Sequence, residues 1–200
     1  MSRVTLEVFA DYICPFCRLA EPALRQLIDE NPGRIDVVRR SFELRPNTVP
    51  PFDPNAEYLQ RVWEASVLPL AAKVGVTMRL PAVFPRTRRT HEAAHWAKSV
   101  GAFDPFHEAL LAAYFERGED IGDVDVLVRL AETLALPAEA LRKALIAREF
   151  EQHVIEDEEV AKHTDVGSVP AFIANGRYGV IGVQPVDVLR DLLERARAGA

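Results

Sequence analysis

Both cysteines of the chain fall in one tetrapeptide, Cys14-Pro15-Phe16-Cys17, which lies where a strand pattern gives way to a helix pattern. Val4–Ala10 alternates apolar Val4, Leu6 and Val8 with Thr5 and Glu7, then runs into Phe9-Ala10, as a buried strand does. Asp11-Tyr12-Ile13 supplies the turn. Beyond Cys17, Leu19, Ala23, Leu24, Leu27 and Ile28 recur at helical spacing. The dithiol is therefore predicted on the first turn of a helix, where unpaired N–H groups and the positive end of the helix dipole favour a thiolate. Pro15 suits an early helical position, since its missing N–H costs nothing there and its φ is already helical. Two thiols so placed come within disulfide reach with little backbone movement. Cys14 is expected to be the exposed, ionised attacker and Cys17 the buried thiol one turn further in. The same C-x-x-C spacing opens zinc knuckles. A zinc site needs two more ligands and the chain has no third cysteine, so redox chemistry is favoured over zinc and over an inert pair.

A chain of 200 residues with 48% apolar content can bury a substantial core, as one domain with an insertion or as two small ones. A formal charge of −6 argues against nucleic-acid binding, which calls for a basic patch. Arg86, Arg88 and Arg89 form a short basic cluster with no interleaved aromatic, read as a solvated loop or the surface of a helix start. No apolar run approaches the ~20 residues of a membrane span. The first strand starts within a few residues of Met1, which leaves no room for a signal peptide's apolar segment, so a cytoplasmic location is expected. In that compartment a disulfide is transient and catalytic.

Ile35–Phe42 is the second predicted strand, after the Asn31-Pro32-Gly33 breaker, which makes a βαβ unit with a right-handed crossover. Pro22 is expected to bend the intervening helix. Arg45–Pro54, with Pro46, Pro50, Pro51 and Pro54, reads as a rigid linker. From about Ala56 to Lys162 the pattern is helical. Tyr58, Leu59, Val62, Trp63, Val67 and Leu70 share one face; Asp104-Pro105, Asp123 and Pro137 are read as helix starts. The acidic run Glu156–Glu159 is read as a solvated helix face. Ala171–Ile173 and Tyr178–Ile181 are short strands around Asn175-Gly176, the strongest local hairpin signal. Val188, Leu189, Leu192 and Leu193 mark a closing helix after Pro185. The order β-α-β, helices, β-β-α predicts an α/β chain: a thioredoxin-like fold over 1–50 and 165–200 with an all-helical insertion domain over 55–163.

With that order in place, the chain resembles the DsbA family of thiol–disulfide oxidoreductases, and more narrowly its FrnE-like branch. The resemblance rests on Asp11-Tyr12-Ile13-Cys14-Pro15-Phe16-Cys17 and on Gly167-Ser168-Val169-Pro170-Ala171-Phe172. Phe42-Glu43-Leu44, Gly176-Arg177-Tyr178 and Gly182-Val183-Gln184-Pro185 add weaker support and select the branch. It implies that Cys14 is the nucleophile, Cys17 the resolving thiol and Pro170 a cis-proline facing them, with Pro15, Phe16 and Val169 on the substrate side. A proline just before a strand cannot donate to the ladder, and a cis turn would leave the Val169 backbone able to pair with an extended substrate. Phe16 replaces the histidine of the best-known members, so a weaker oxidant is expected. Some FrnE-like proteins carry a second cysteine pair; here there is none, which excludes an internal electron relay.

His91-Glu92-Ala93-Ala94-His95 matches the short H-E-x-x-H zinc signature, but Lys98 and Gly101 stand where its extended form has Gly and His. His91 and His95 are expected on a surface or groove, and His107, His153 and His163 as exposed helix residues. Trp63, Trp96, Phe106, Tyr114 and Phe115 are read as core or groove lining. No metal is expected, and no cofactor beyond the Cys14–Cys17 dithiol, with glutathione at most a co-substrate. The expected partners are protein or small-molecule disulfides and dithiols. Two rival functions use the same frame: a glutathione-dependent isomerase of the 2-hydroxychromene-2-carboxylate type, which the paired thiols disfavour, and a non-catalytic chaperone-like binding module.

Overall fold

The N-terminal alternation forms β1 over Val4–Ala10, an inner strand of the sheet whose Val4, Leu6, Val8 and Phe9 are buried. The computed structural model describes residues 3–53 and 56–199, so Met1, Ser2, Asn55, Ala200 and Pro54 of the linker lie outside the described residues. Within them, α1 (Pro15–Glu30) returns the chain to β2 (Ile35–Ser41), which pairs parallel with β1 from Val4↔Ile35 to Ala10↔Ser41. α1 continues through Pro22 as one helix. Much later β3 (Ala171–Ala174) pairs antiparallel with the other edge of β1, with Phe9 opposite Ala171. β4 (Tyr178–Ile181) completes the order β2-β1-β3-β4.

The β3–β4 hairpin turns through the three residues Asn175–Arg177: Asn175 and Gly176 both have positive φ, 51° and 63°, and the Arg177 N–H donates to Ala174 O at 3.1 Å. Asn175 also does tertiary work. Its Oδ1 accepts from Thr5 N at 3.0 Å, its own N–H donates to Thr5 O at 2.8 Å, and its Nδ2 donates to Ala196 O at 3.3 Å. Ala196 lies on the final helix, which we call α9 (Val186–Ala198) in chain order. Leu189, Leu192 and Leu193 of α9 pack with Ala20, Leu24 and Leu27 of α1 over Leu6, Val8, Phe172 and Ala174. Each such leucine contributes roughly 1.5–3 kcal/mol by burial.

Between β2 and β3 the described residues form helices: α2 (Glu57–Val62), α3 (Leu68–Val74), α4 (Arg88–Ser99), α5 (Phe103–Ala112), α6 (Val124–Thr133), α7 (Ala138–Ala147) and α8 (Glu151–His163). Single π-helical turns follow α2 at Trp63–Val67 and α5 at Ala113–Arg117. Asp123 caps α6 by accepting from Asp125 N at 2.8 Å, as its side chain suggests. α5 starts ahead of the Asp104-Pro105 pair: Ala102 is the cap, fixed by its N–H to Ala97 O at 2.8 Å. The aromatics form a core, with Trp63 against Phe115 at 6.2 Å and Trp96 edge-on to Phe106 at 6.3 Å.

The chain divides into two compact units, Met1–Phe42 with Asp157–Ala200, and Glu43–Glu156. Several polar residues behave differently from expectation. Arg86, Arg88 and Arg89 are not a solvated cluster. Arg86 Nη1 donates to Arg45 O at 2.6 Å and Pro46 O at 2.5 Å, Arg88 pairs with Glu43, and Arg89 donates to Leu145 O. A guanidinium can hold several carbonyls at once, so these arginines tie loops to helices. His107 is buried and stacks on Phe103 at 5.3 Å rather than facing solvent.

The acidic run is not a uniformly solvated face either, because Asp157 is only 3% exposed. Its Oδ1 accepts from Arg40 Nη1 at 2.9 Å and its Oδ2 from the Ser41 N–H at 2.9 Å. Arg40 reaches Glu7 Oε1 as well, at 2.7 Å, so one cation bridges two carboxylates beside the parallel strands. We expect Asp157→Asn to lower the free energy of urea unfolding by about 1 kcal/mol, since a partly buried cation and a backbone amide lose their charged acceptor.

Candidate active site

The turn out of β1 builds the site. Asp11 accepts at its backbone carbonyl from Cys14 N at 3.1 Å and at Oδ1 from Ile13 N at 3.5 Å. This fold-back lets Cys14, in extended conformation (φ −81°, ψ 114°), serve as the N-cap of α1, with Pro15 as the first helical residue. The Cys14 carbonyl accepts from Cys17 N at 3.1 Å and from Arg18 N at 3.3 Å, closing the first turn. Both cysteines are free thiols, and Cys17 lies one turn inside as the spacing predicts.

Cys14 is not exposed. It is only 4% accessible, like Cys17, because its Sγ turns toward the Val169 carbonyl, 3.7 Å away and 155 residues along the chain. The Val169–Pro170 peptide is cis, and Pro170 O accepts from Gly182 N at 2.7 Å just ahead of β3. All six expected site residues thus belong to two segments that the sheet brings together: Cys14, Pro15, Phe16 and Cys17 on one, Val169 and Pro170 on the other. Phe16 is partly buried on the first turn of α1.

Burial pushes the Cys17 thiol well above its ordinary value, and its hydrogen bond and charge interaction with Cys14 push it further. A backbone hydrogen bond from Asp11 acts the other way, while the Asp11 carboxylate again raises it. Cys17 is thus held as a neutral thiol, which suits a group that acts second. Asp11 itself is only 1% exposed. Sequence reasoning passed it over as a turn residue: an Asp before a helix is common, and only the fold shows it enclosed.

The H-E-x-x-H stretch sits on α4, where His91 and Glu92 are buried rather than at a surface, and His95 is half-buried with its ring 5.5 Å from that of His153. His153 and His163 are exposed, as expected. Both Glu92 carboxylate oxygens are buried without a hydrogen-bond partner. Burial raises the Glu92 pKa, and Glu151 adds to the rise, against the opposing charges of Arg89, Arg148 and Arg88.

Comparison with known proteins follows the same lines. The family described as DSBA-like thioredoxin domain matches residues 5–194. The YwbO protein of Bacillus subtilis (strain 168) is 32% identical over 177 residues, covering 85% of this chain and 86% of that protein. A solved structure described as a probable DsbA oxidoreductase, from Streptomyces coelicolor, superposes with a TM-score of 0.81 at 25% identity, over 99% of this chain and 92% of that one. The cytosolic disulfide reductase DsbM from Pseudomonas aeruginosa, solved with GSH, shares the fold: TM-score 0.71, 19% identity, 96% and 98% coverage. No helix among the described residues is long and apolar enough to cross a membrane.

Two titrations check these electrostatics. In a Cys14→Ser protein, thiolate absorbance is expected to show Cys17 still mostly protonated at pH 9.0, because burial, the larger cause, remains. For Glu92 the folded pKa lies above the unfolded one, so the folded state binds more protons, and stability is lost as pH rises from about 4.5 through the raised value. Glu92→Gln removes that loss. Its melting temperature relative to the parent is expected to climb as the pH rises above 4.5, by calorimetry.

Proposed function

The chain belongs to the DSBA-like thioredoxin domain family, and from that footing we propose that it is a thiol–disulfide oxidoreductase whose Cys14 attacks and whose Cys17 resolves. The observation that carries this reading is the 3.7 Å approach of Cys14 Sγ to the Val169 carbonyl, with Cys17 buried one turn behind. The nucleophile then lies beside a backbone acceptor that an extended substrate can share. Its helix-cap position suits the thiolate, while Cys17 keeps its proton until the first step is over.

Cys14 sulfur attacks one sulfur of a substrate disulfide; the S–S bond breaks, and the departing sulfur leaves as a thiolate that takes a proton. Cys17 then loses its proton and attacks Cys14 sulfur. The mixed disulfide breaks, the second substrate sulfur leaves, and the Cys14–Cys17 bond forms. Two electrons pass from protein to substrate. The reverse sequence oxidises a substrate dithiol, and return to Cys14 without net transfer is isomerisation.

Pro15, Phe16, Val169 and Pro170 form the substrate side in this reading. The Val169 backbone is suited to pairing with an extended segment, and Phe16 offers apolar contact without the charge a histidine would bring. The substrates are protein or small-molecule disulfides and dithiols, and a net charge of −6 gives no attraction toward nucleic acid. The reading takes the work to be cytoplasmic, where such a disulfide is transient, and assigns the chain to the FrnE-like branch on its Gly176-Arg177-Tyr178 and Gly182-Val183-Gln184-Pro185 motifs.

Insulin reduction with dithiothreitol as electron source tests the assignment. Cys14→Ser is expected to fall to the uncatalysed background, and Cys17→Ser to accumulate mixed disulfides visible by mass spectrometry under non-reducing conditions. Full activity in Cys14→Ser would sink the mechanism and leave a binding module whose dithiol is incidental.

A further inference from the structure

With both cysteines as thiols the docking point is closed. Cys14 and Val169 are only 4% and 9% exposed, and the bond that joins them is donated by the Cys14 thiol to the Val169 carbonyl, at 3.7 Å. The chain leading to β3 is anchored on either side of that contact. Val166 N donates to Ala161 O of α8 at 2.9 Å, and Pro170 O accepts from Gly182 N at 2.7 Å. Between the anchors Gly167 and Ser168 are exposed, and a side chain at Gly167 would meet open space. Among the described residues no backbone hydrogen bond engages either of them. The thiol bond is therefore what holds residues 167–169 down over the sulfur.

Building on the dithiol reading, we propose that the Cys14 S–H is a latch: it holds the Val169 segment shut in the dithiol form, and its loss opens that segment to extended peptides, so that the disulfide form is the one that docks thiol-bearing peptide substrates.

The physical reason is that a thiol donates only through its proton. Formation of the Cys14–Cys17 bond removes that proton. Ionisation of Cys14 for attack removes it too, and leaves a negative sulfur facing the negative end of a carbonyl. Either way the bond is gone. An extended peptide that adds to Val169 as a strand needs the segment lifted from the sulfur, and its apparent affinity falls with the fraction of molecules left open.

The latch gives the exchange a direction on peptides. The disulfide form docks an extended segment carrying two thiols. These give up two electrons and two protons as the substrate disulfide forms, the Cys14–Cys17 bond breaks, and the protons end on the two cysteine sulfurs. The proton on Cys14 then closes the latch behind the departing product. A small-molecule disulfide restores the Cys14–Cys17 bond, since its attack by ionised Cys14 needs no strand pairing.

The test is peptide binding to the full-length protein at about pH 6, where an ordinary thiol is protonated. The probe is insulin B chain with its thiols alkylated, so that no exchange can occur. The disulfide form is expected to bind it about threefold or more tightly than the dithiol form, the worth of one modest hydrogen bond. Two variants, kept reduced, separate the latch from the redox state, since neither can form the internal disulfide. Cys17→Ala retains the Cys14 S–H and is expected to bind as the dithiol form does; Cys14→Ala lacks it and is expected to match the disulfide form. The Val169 carbonyl carbon, followed by NMR, is expected to move upfield on oxidation and in Cys14→Ala, and to stay in place in Cys17→Ala. Equal affinities of the dithiol and disulfide forms overturn the proposal, as does Cys14→Ala binding no better than Cys17→Ala, or a carbonyl signal that oxidation leaves unmoved. Failure of the parent protein to form any Cys14–Cys17 disulfide strikes down the dithiol reading instead, and the two alanine variants still decide the latch.

Discussion

Antiparallel pairing of β1 with β3 is the contact on which the candidate site depends. Phe9 faces Ala171 across the ladder, so the turn leaving β1 and the loop approaching β3 must emerge at the same end of the sheet. One brings Asp11, Cys14 and Cys17; the other brings Val169 and Pro170. Local propensity could form α1 and the hairpin separately. Only this long-range pairing sets a thiol opposite a carbonyl 155 residues away. Asn175 reinforces it, since its backbone and side chain both bond Thr5 while its amide reaches α9.

Once the two segments meet, the two chemically identical thiols sit in different surroundings. The accessible areas of Cys14 and Cys17 are alike, so exposure does not tell them apart. Position does. Cys14 is outside the helix as its cap, with a backbone acceptor beyond it, whereas Cys17 is wrapped in the first turn, where desolvation penalises its charged form.

Much of this was legible in the sequence because it is local. The alternation of Val4, Leu6 and Val8, the helical spacing from Leu19 to Ile28 and the Asn175-Gly176 turn each specify an element from a few neighbouring residues. The dithiol and Pro170 were legible as chemistry that few other arrangements use. What was not legible is how polar side chains are spent. Asp157 sits in a run of glutamates, and its sequence neighbours say nothing of Arg40. Arg86, Arg88 and Arg89 look like a solvated cluster until a fold supplies carbonyls and a carboxylate for them. The enclosure of Asp11 and of Cys14 depends on the approach of distant segments, to which a pattern of short period is blind.

The link between Asp157 and Arg40 shows why such residues matter to the sheet as a whole. The chain leaves the first unit after Phe42 and returns to it at Asp157. At that point one carboxylate holds both the last amide of β2, at Ser41, and the guanidinium of the residue before it. The departing and returning segments are therefore stapled together at the sheet. Closing a loop of this length costs only slowly more entropy as the loop grows. At the point of closure the Asp157 carboxylate, through Arg40 and the Ser41 amide, ties the returning segment to β2, the strand that pairs along the whole of β1.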